Sequence, residues 1–181
     1  MVKSALLLFL TLIVSVFARD VAQVMSDFAT LAENITTLDE YMNKNPISFA
    51  SLMEMNNTVQ EIQKRINAMT LDAKVQAQAA SPLPSVSDEN EVLARMNPTV
   101  EALSKLMDDF GSKSTEFGGY YEFVKCEVYR NLKSFRDRYL DPESTVVALF
   151  VTNTGKEQAK RAWDSAVPHI TECLSKYKDG C

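Results

Sequence analysis

His169 is the only histidine in these 181 residues, so imidazole-based catalysis would have to be built around it. It follows Pro168, and no serine or cysteine beside it forms a recognisable nucleophile motif. One imidazole and three scattered cysteines offer no metal-ligand spacing. Close-set carboxylates occur at Asp108-Asp109 and at Glu33, Asp39 and Glu40, but their placement reads as solvated helix faces. Glycine-rich phosphate loops are absent. A hydrolase assembled from carboxylates on separate helices is the weakest reading, and the expectation is a chain that is not an enzyme and has no cofactor and no metal.

The cysteines carry more information. Cys126, Cys173 and Cys181 allow one disulfide and one leftover thiol, in three possible pairings. Cys126 lies off the apolar stripe of its segment and Cys181 sits in a polar tail, whereas Cys173 follows an inward stripe. This favours Cys126–Cys181, with Cys126–Cys173 the close competitor.

A disulfide requires an oxidising compartment, and the N-terminus points to one. In MVKSALLLFLTLIVSVFARD, Lys3 precedes an apolar run from Ala5 to Phe17 that is too short to span a bilayer. Val16-Phe17-Ala18 offers small residues where a signal peptidase reads them. Residues 1–18 are expected to be a signal peptide and residues 19–181 one folded domain. The protein is then secreted, extracellular or in a cell wall, with no transmembrane segment in the mature chain. Two sequons become meaningful there, at Asn34 and Asn56, while Asn97 is excluded by Pro98. A net charge of −5 without a basic stripe argues against nucleic acid.

The elements that must position these residues are all helical in pattern. From Asp20 to Asn45 the apolar residues Val21, Val24, Phe28, Leu31, Ile35, Leu38 and Met42 recur at spacings of three and four. Asp27, Glu33, Asn34, Asp39 and Glu40 lie off that seam and are expected to stay wet. Asn45-Pro46 stops the first helix. A second stripe runs Leu52, Met55, Val59, Ile62, Ile66, Met69, Ala73, and the short connection predicts an antiparallel hairpin. After a Pro- and Ser-rich linker at 80–87, Asp88 to Glu91 resembles a capping box. Pro98 is expected to kink the third helix or restart it, and Gly111 to cap its end. After the interruption at Gly118-Gly119, a fourth helix carries Tyr121, Val124, Val128, Leu132, Phe135 and Tyr139, and Asp141-Pro142 stops it. Residues 146–151 predict a short, fully buried helix, and a last helix bent at Pro168 carries Ala159, Trp163, Ala166, Ile170, Cys173 and Tyr177. The fold class expected is all-α, a single-domain bundle of five or six helices.

Eight methionines, nine phenylalanines, six tyrosines and one tryptophan populate these stripes. Such residues build ordinary cores, and methionine also suits a pocket that adapts to a flexible apolar ligand. The run RDVAQVMSDFATLAENITTLDEYM resembles the fungal hydrophobic surface-binding protein A family, which includes cell-wall galactomannoprotein domains. NPTVEALSKL, NLKSFRDRYLDP and AKRAWDSAVPHITECLSKY continue the resemblance across the mature chain. It implies a secreted protein that binds a fatty acid or another apolar small molecule inside the bundle, or a hydrophobic surface outside it, with cell-wall association. The chain departs from the family in its three cysteines and bulky aromatics, which bear on pocket size. The candidate lining is Phe28, Leu31, Ile35, Val59, Ile62, Ile66, Trp163 and Ile170, along the first, second and last helices. The competing reading is a secreted effector or cell-wall interaction protein that binds a protein partner through an exposed helix face.

Overall fold

The computed structural model describes residues 2–44, 48–77, 83, 85–116, 122–140, 143–179 and 181. The breaks expected at Asn45-Pro46, Gly118-Gly119 and Asp141-Pro142 lie outside them, as do the side chains of Leu52, Met55, Asn56, Met69, Ala73, Tyr121 and Val124. The helices are α1 (Val2–Lys44), α2 (Phe49–Ala77), α3 (Val86–Ser112), α4 (Glu122–Leu140), α5 (Glu143–Ala148), α6 (Asn153–Ser165) and α7 (Val167–Lys178). A further turn of helix spans 114–116, and the described residues contain no strand. No helix among them is long and apolar enough to cross a membrane.

Cross-helix contacts set the directions. Thr99 reaches the Phe28 carbonyl and Asn43 reaches Asp109, so α3 runs parallel to α1. Thr152 meets Glu89 and Tyr177 meets Phe110, so α6 and α7 together run alongside α3 in the same sense. Tyr139 meets Trp163 and Cys126 bonds Cys181, so α4 runs back against them. α2 packs on α1, α4 and α5, which completes an all-α, single-domain bundle around one core.

All seven residues of the first stripe are buried, as are Val92, Leu93, Met96, Val100, Leu103, Met107 and Phe110 on α3. Asp27 and Asp39 correct the expectation of a wet face, since both are buried as well. The reason is geometric: α2 and α3 flank α1 on two sides, so the covered arc is wider than one apolar stripe. Glu33 and Glu40 do remain exposed, and Asn34 is half-buried.

α3 begins one turn earlier than its acidic cluster suggests. Ser85 caps it, accepting from the Asp88 amide at 3.2 Å and donating to the Asp88 carboxylate at 2.6 Å. Pro98 neither stops nor restarts the helix, which passes through it with the proline ring on the exposed side. Gly111 is not the cap either. It is buried where α3 meets α7, and a Cβ there would stand 3.2 Å from the Lys176 side chain.

The apolar run at 146–151 is helical only to Ala148, and Val151 is exposed, so the short helix is neither full-length nor fully buried. The single bent C-terminal helix is two helices. α6 ends at Ser165, and Pro168 stands in the first turn of α7, where its missing N–H leaves no bond unmade.

Candidate functional site

Phe28, Leu31 and Ile35 project from α1, Ile62 and Ile66 from α2, Trp163 from α6 and Ile170 from α7. All seven are buried in one apolar core, with Val59 half-buried and packed against it. α1 packs on α2, so six of the eight candidates face one another across that seam. Trp163 and Ile170 stand apart from them, because α6 packs chiefly on α3 and α5, and α7 on α3 and α4.

Trp163 is held with unusual completeness. Its indole Nε1–H donates to the Tyr139 carbonyl at 3.0 Å, and the Tyr139 hydroxyl donates to the Trp163 carbonyl at 2.8 Å. The two rings stack with centroids 4.5 Å apart and 7° between planes. Burial, with help from the Asp164 and Glu143 charges, pushes the Tyr139 hydroxyl far above its ordinary range, so it stays a donor. Tyr177 makes the corresponding contact at the other end of the bundle, donating to the Phe110 carbonyl at 2.7 Å. Both tyrosines supply donors to carbonyls near helix ends, where intrahelical partners run out.

Two acidic sites join helices. Glu89 on α3 is 3 % exposed and accepts from the Val151 and Thr152 amides at 2.6 and 2.8 Å and from the Thr152 hydroxyl at 2.5 Å. Burial acts to raise its pKa, but these bonds outweigh it and hold the carboxyl below its ordinary value. Gly155 is required opposite it, since a Cβ there would come 2.4 Å from Glu89 Oε2. The second site ties α1 to α3. Lys105 bridges Asp39 and Asp109, and Asn43 donates to both carboxyls. Burial and the hydrogen bond to Asp109 raise Asp39, while that same hydrogen bond is the main cause lowering Asp109. Lys105 and Asn43 thus tie both carboxyls into one contact between α1 and α3, so Asp39 and Asp109 are not simply solvated faces.

His169 places Nδ1 2.8 Å from Asp108 Oδ1 on the surface between α3 and α7. Among the described residues no group of three or more His, Cys, Asp or Glu is arranged to hold a metal ion. Cys126 and Cys181 form the disulfide, with Cα atoms 5.2 Å apart. Cys173 is the buried free thiol, and burial pushes it up to about 12, which keeps it protonated and unreactive.

Two open grooves border the same helices. One, of about 590 Å³, lies between α1 and α3 and is lined by small and polar residues including Ala22, Ala29 and Arg95. The other, of about 520 Å³, follows the outer face of α1 from Ala32 to Lys44. None of the eight candidates lines either groove.

Glu89, Asp27 and Asp39 carry only a partial sequence signal for burial. Glu89 stands three residues before Val92, Asp27 three after Val24, and Asp39 four after Ile35. Each carboxylate borders the apolar stripe of its own helix, as half-buried Asn34 also does, so the spacing admits burial without requiring it. The Tyr139–Trp163 pairing had no such signal, because both merely follow their own stripes.

No family model matches the chain, and no curated protein matches it. Among solved structures the bundle is similar to Afmp4p in complex with palmitic acid, with a TM-score of 0.77. The two share 16% sequence identity over 87% of this chain and 99% of that one. At that identity the likeness is one of fold.

Proposed function

We propose that this protein is a secreted, non-enzymatic carrier of long-chain apolar lipids, with the acyl chain lodged between α1 and α2. The observation that carries the reading is the likeness to a bundle solved with palmitic acid, aligned over almost all of that chain. The seam formed by Phe28, Leu31 and Ile35 facing Val59, Ile62 and Ile66 supports it, because these side chains offer aliphatic surface to an acyl chain. Each buried CH₂ contributes about 0.8 kcal/mol, so a sixteen-carbon chain needs little polar recognition. The cysteine pairing supports secretion, since disulfides persist in oxidising compartments.

Native mass spectrometry of protein purified without detergent, then of delipidated protein titrated with palmitic acid, tests this directly. Uptake of one or two lipid molecules, saturating at micromolar concentration or below, is the expected result. Ile62→Asp should abolish uptake while far-UV circular dichroism stays native, because an unpaired charge is costly beside an acyl chain. A folded wild type that takes up no lipid would end the carrier reading. Capture of a protein partner through the α1–α3 groove would then be the better account.

A further inference from the structure

Opposite charges four residues apart on a helix stabilise it by pairing, and here Glu61–Arg65 and Glu157–Arg161 close at 3.3 and 3.4 Å. Glu91 and Arg95 on α3 have the same spacing and the same acid-first order, yet they do not close. Both are exposed, and neither side chain has a hydrogen-bond or ion-pair partner among the described residues.

These two charges stand at the groove of about 590 Å³ between α1 and α3. Met25 and three alanines, Ala22, Ala29 and Ala94, line it with them. The alanines are exposed, so another helix can come close, and Met25 is half-buried against the core. Glu91, Ala94, Arg95 and Pro98 fall at i, i+3, i+4 and i+7, so the exposed Pro98 continues the same face. The result is a shallow apolar trough that carries one positive and one negative charge, each unmatched.

A small ligand would stay largely wet in so open a trough, whereas ligand sites bury most of their ligand. A two-fold dimer makes a different demand. Each copy presents the same patch, so every charge on it must find its opposite on that patch. Glu91 and Arg95 meet that demand.

We infer, independently of the carrier reading, that the α1–α3 groove is a homodimer interface in which a second copy packs its α3 antiparallel on this one. A two-fold axis between the two residues sets Glu91 of each copy against Arg95 of the other. Two intermolecular ion pairs form, and the same rotation lays one alanine-lined trough on the other. The Thr99 bond to the Phe28 carbonyl holds α1 beside α3 at this level, so both helices contribute. Ala22 to Ala29 spans only about 10 Å. A contact of that size suits a weak dimer, with a dissociation constant in the micromolar range.

Sedimentation velocity of the purified protein from about 5 to 500 µM should show a reversible monomer–dimer equilibrium. Glu91→Arg alone, or Arg95→Glu alone, sets like charges against each other and should weaken dimerisation at least about tenfold. The double variant restores opposite charges and should return to within about threefold of the wild type. An equal mixture of the two single variants should dimerise as well, since one copy then carries two positive charges and the other two negative. Both positions are exposed, so the variants should keep native helicity by circular dichroism. A wild type that stays monomeric to about 500 µM overturns the interface, and that result needs no variant. A dimer that survives both single variants overturns it too, as does a loss that the double variant or the mixture fails to reverse.

Discussion

The two halves of this bundle are held by different means. Where α3, α4, α6 and α7 meet, polar groups fix the geometry: the reciprocal Tyr139–Trp163 bonds, the Tyr177 bond to Phe110, the three bonds to Glu89 and the Cys126–Cys181 bridge. Between α1 and α2 the contact is a run of aliphatic side chains. Directional bonds permit one arrangement, whereas aliphatic side chains can repack at small cost. On the carrier reading proposed above, a ligand of variable length would belong in the half that can repack, with the bonded half keeping the rest of the bundle in place.

Replacing Trp163 should give the largest effect and tests the rigid half. Trp163→Ala removes a buried ring, its stack on Tyr139 and the indole N–H bond to the Tyr139 carbonyl, and should cost about 4 kcal/mol in urea denaturation. A loss below about 1.5 kcal/mol would mean that the Tyr139–Trp163 pair does not secure α4 to α6.

Opening the disulfide comes next. Cys126→Ser releases a link between residues 55 apart in sequence, worth about 3 kcal/mol. Lipid stoichiometry should stay unchanged, since the bridge lies in the half remote from the seam. Loss of lipid uptake in a folded variant would erase the division between the halves.

Glu89 gives a smaller and pH-dependent effect. Its folded-state pKa is lowered from the ordinary 4.5, so its stabilisation is present above that value and is lost as pH falls through the lowered one. Glu89→Gln should cost about 2 kcal/mol at neutral pH and flatten the fall in urea midpoint below pH 4.5. Asp39 and Asp109 are shifted in opposite directions, so their contributions to that fall oppose each other. A wild-type midpoint that does not change across that range would remove the α3–α6 acid contact from the list of fixing bonds.

The smallest effect belongs to the compliant half. Ile66→Val should cost only about 0.5 kcal/mol, at the low end for such a change, with lipid affinity retained. A cost above about 1.5 kcal/mol, or lost binding, would show that the α1–α2 seam is packed as strictly as the other half, and the contrast would collapse.

The helices were legible in the sequence because each apolar face repeats at three and four residues, and burial of Val21 through Met42 follows that spacing without exception. Element ends were less legible. Ser85 rather than Asp88 caps α3, since its hydroxyl both accepts from the Asp88 amide and donates to the Asp88 carboxylate, and the helix continues through Pro98, whose ring is exposed. Of the candidate lining, the α1 and α2 members were readable as one face each. That Trp163 and Ile170 would stand with α3 and α4 was not, because stripe spacing says which side of a helix is covered and not by whom.

The sequence alone determined what is local: helical periodicity, inward and outward faces, and which cysteines lie on or off a stripe. Tertiary structure decided everything that depends on a second element. It buried Asp27 and Asp39 by flanking α1 on two sides, placed Glu89 under the start of α6, and paired Tyr139 with Trp163. The physical reason is that periodicity depends on one backbone, while desolvation and hydrogen bonding depend on which other backbone arrives beside it.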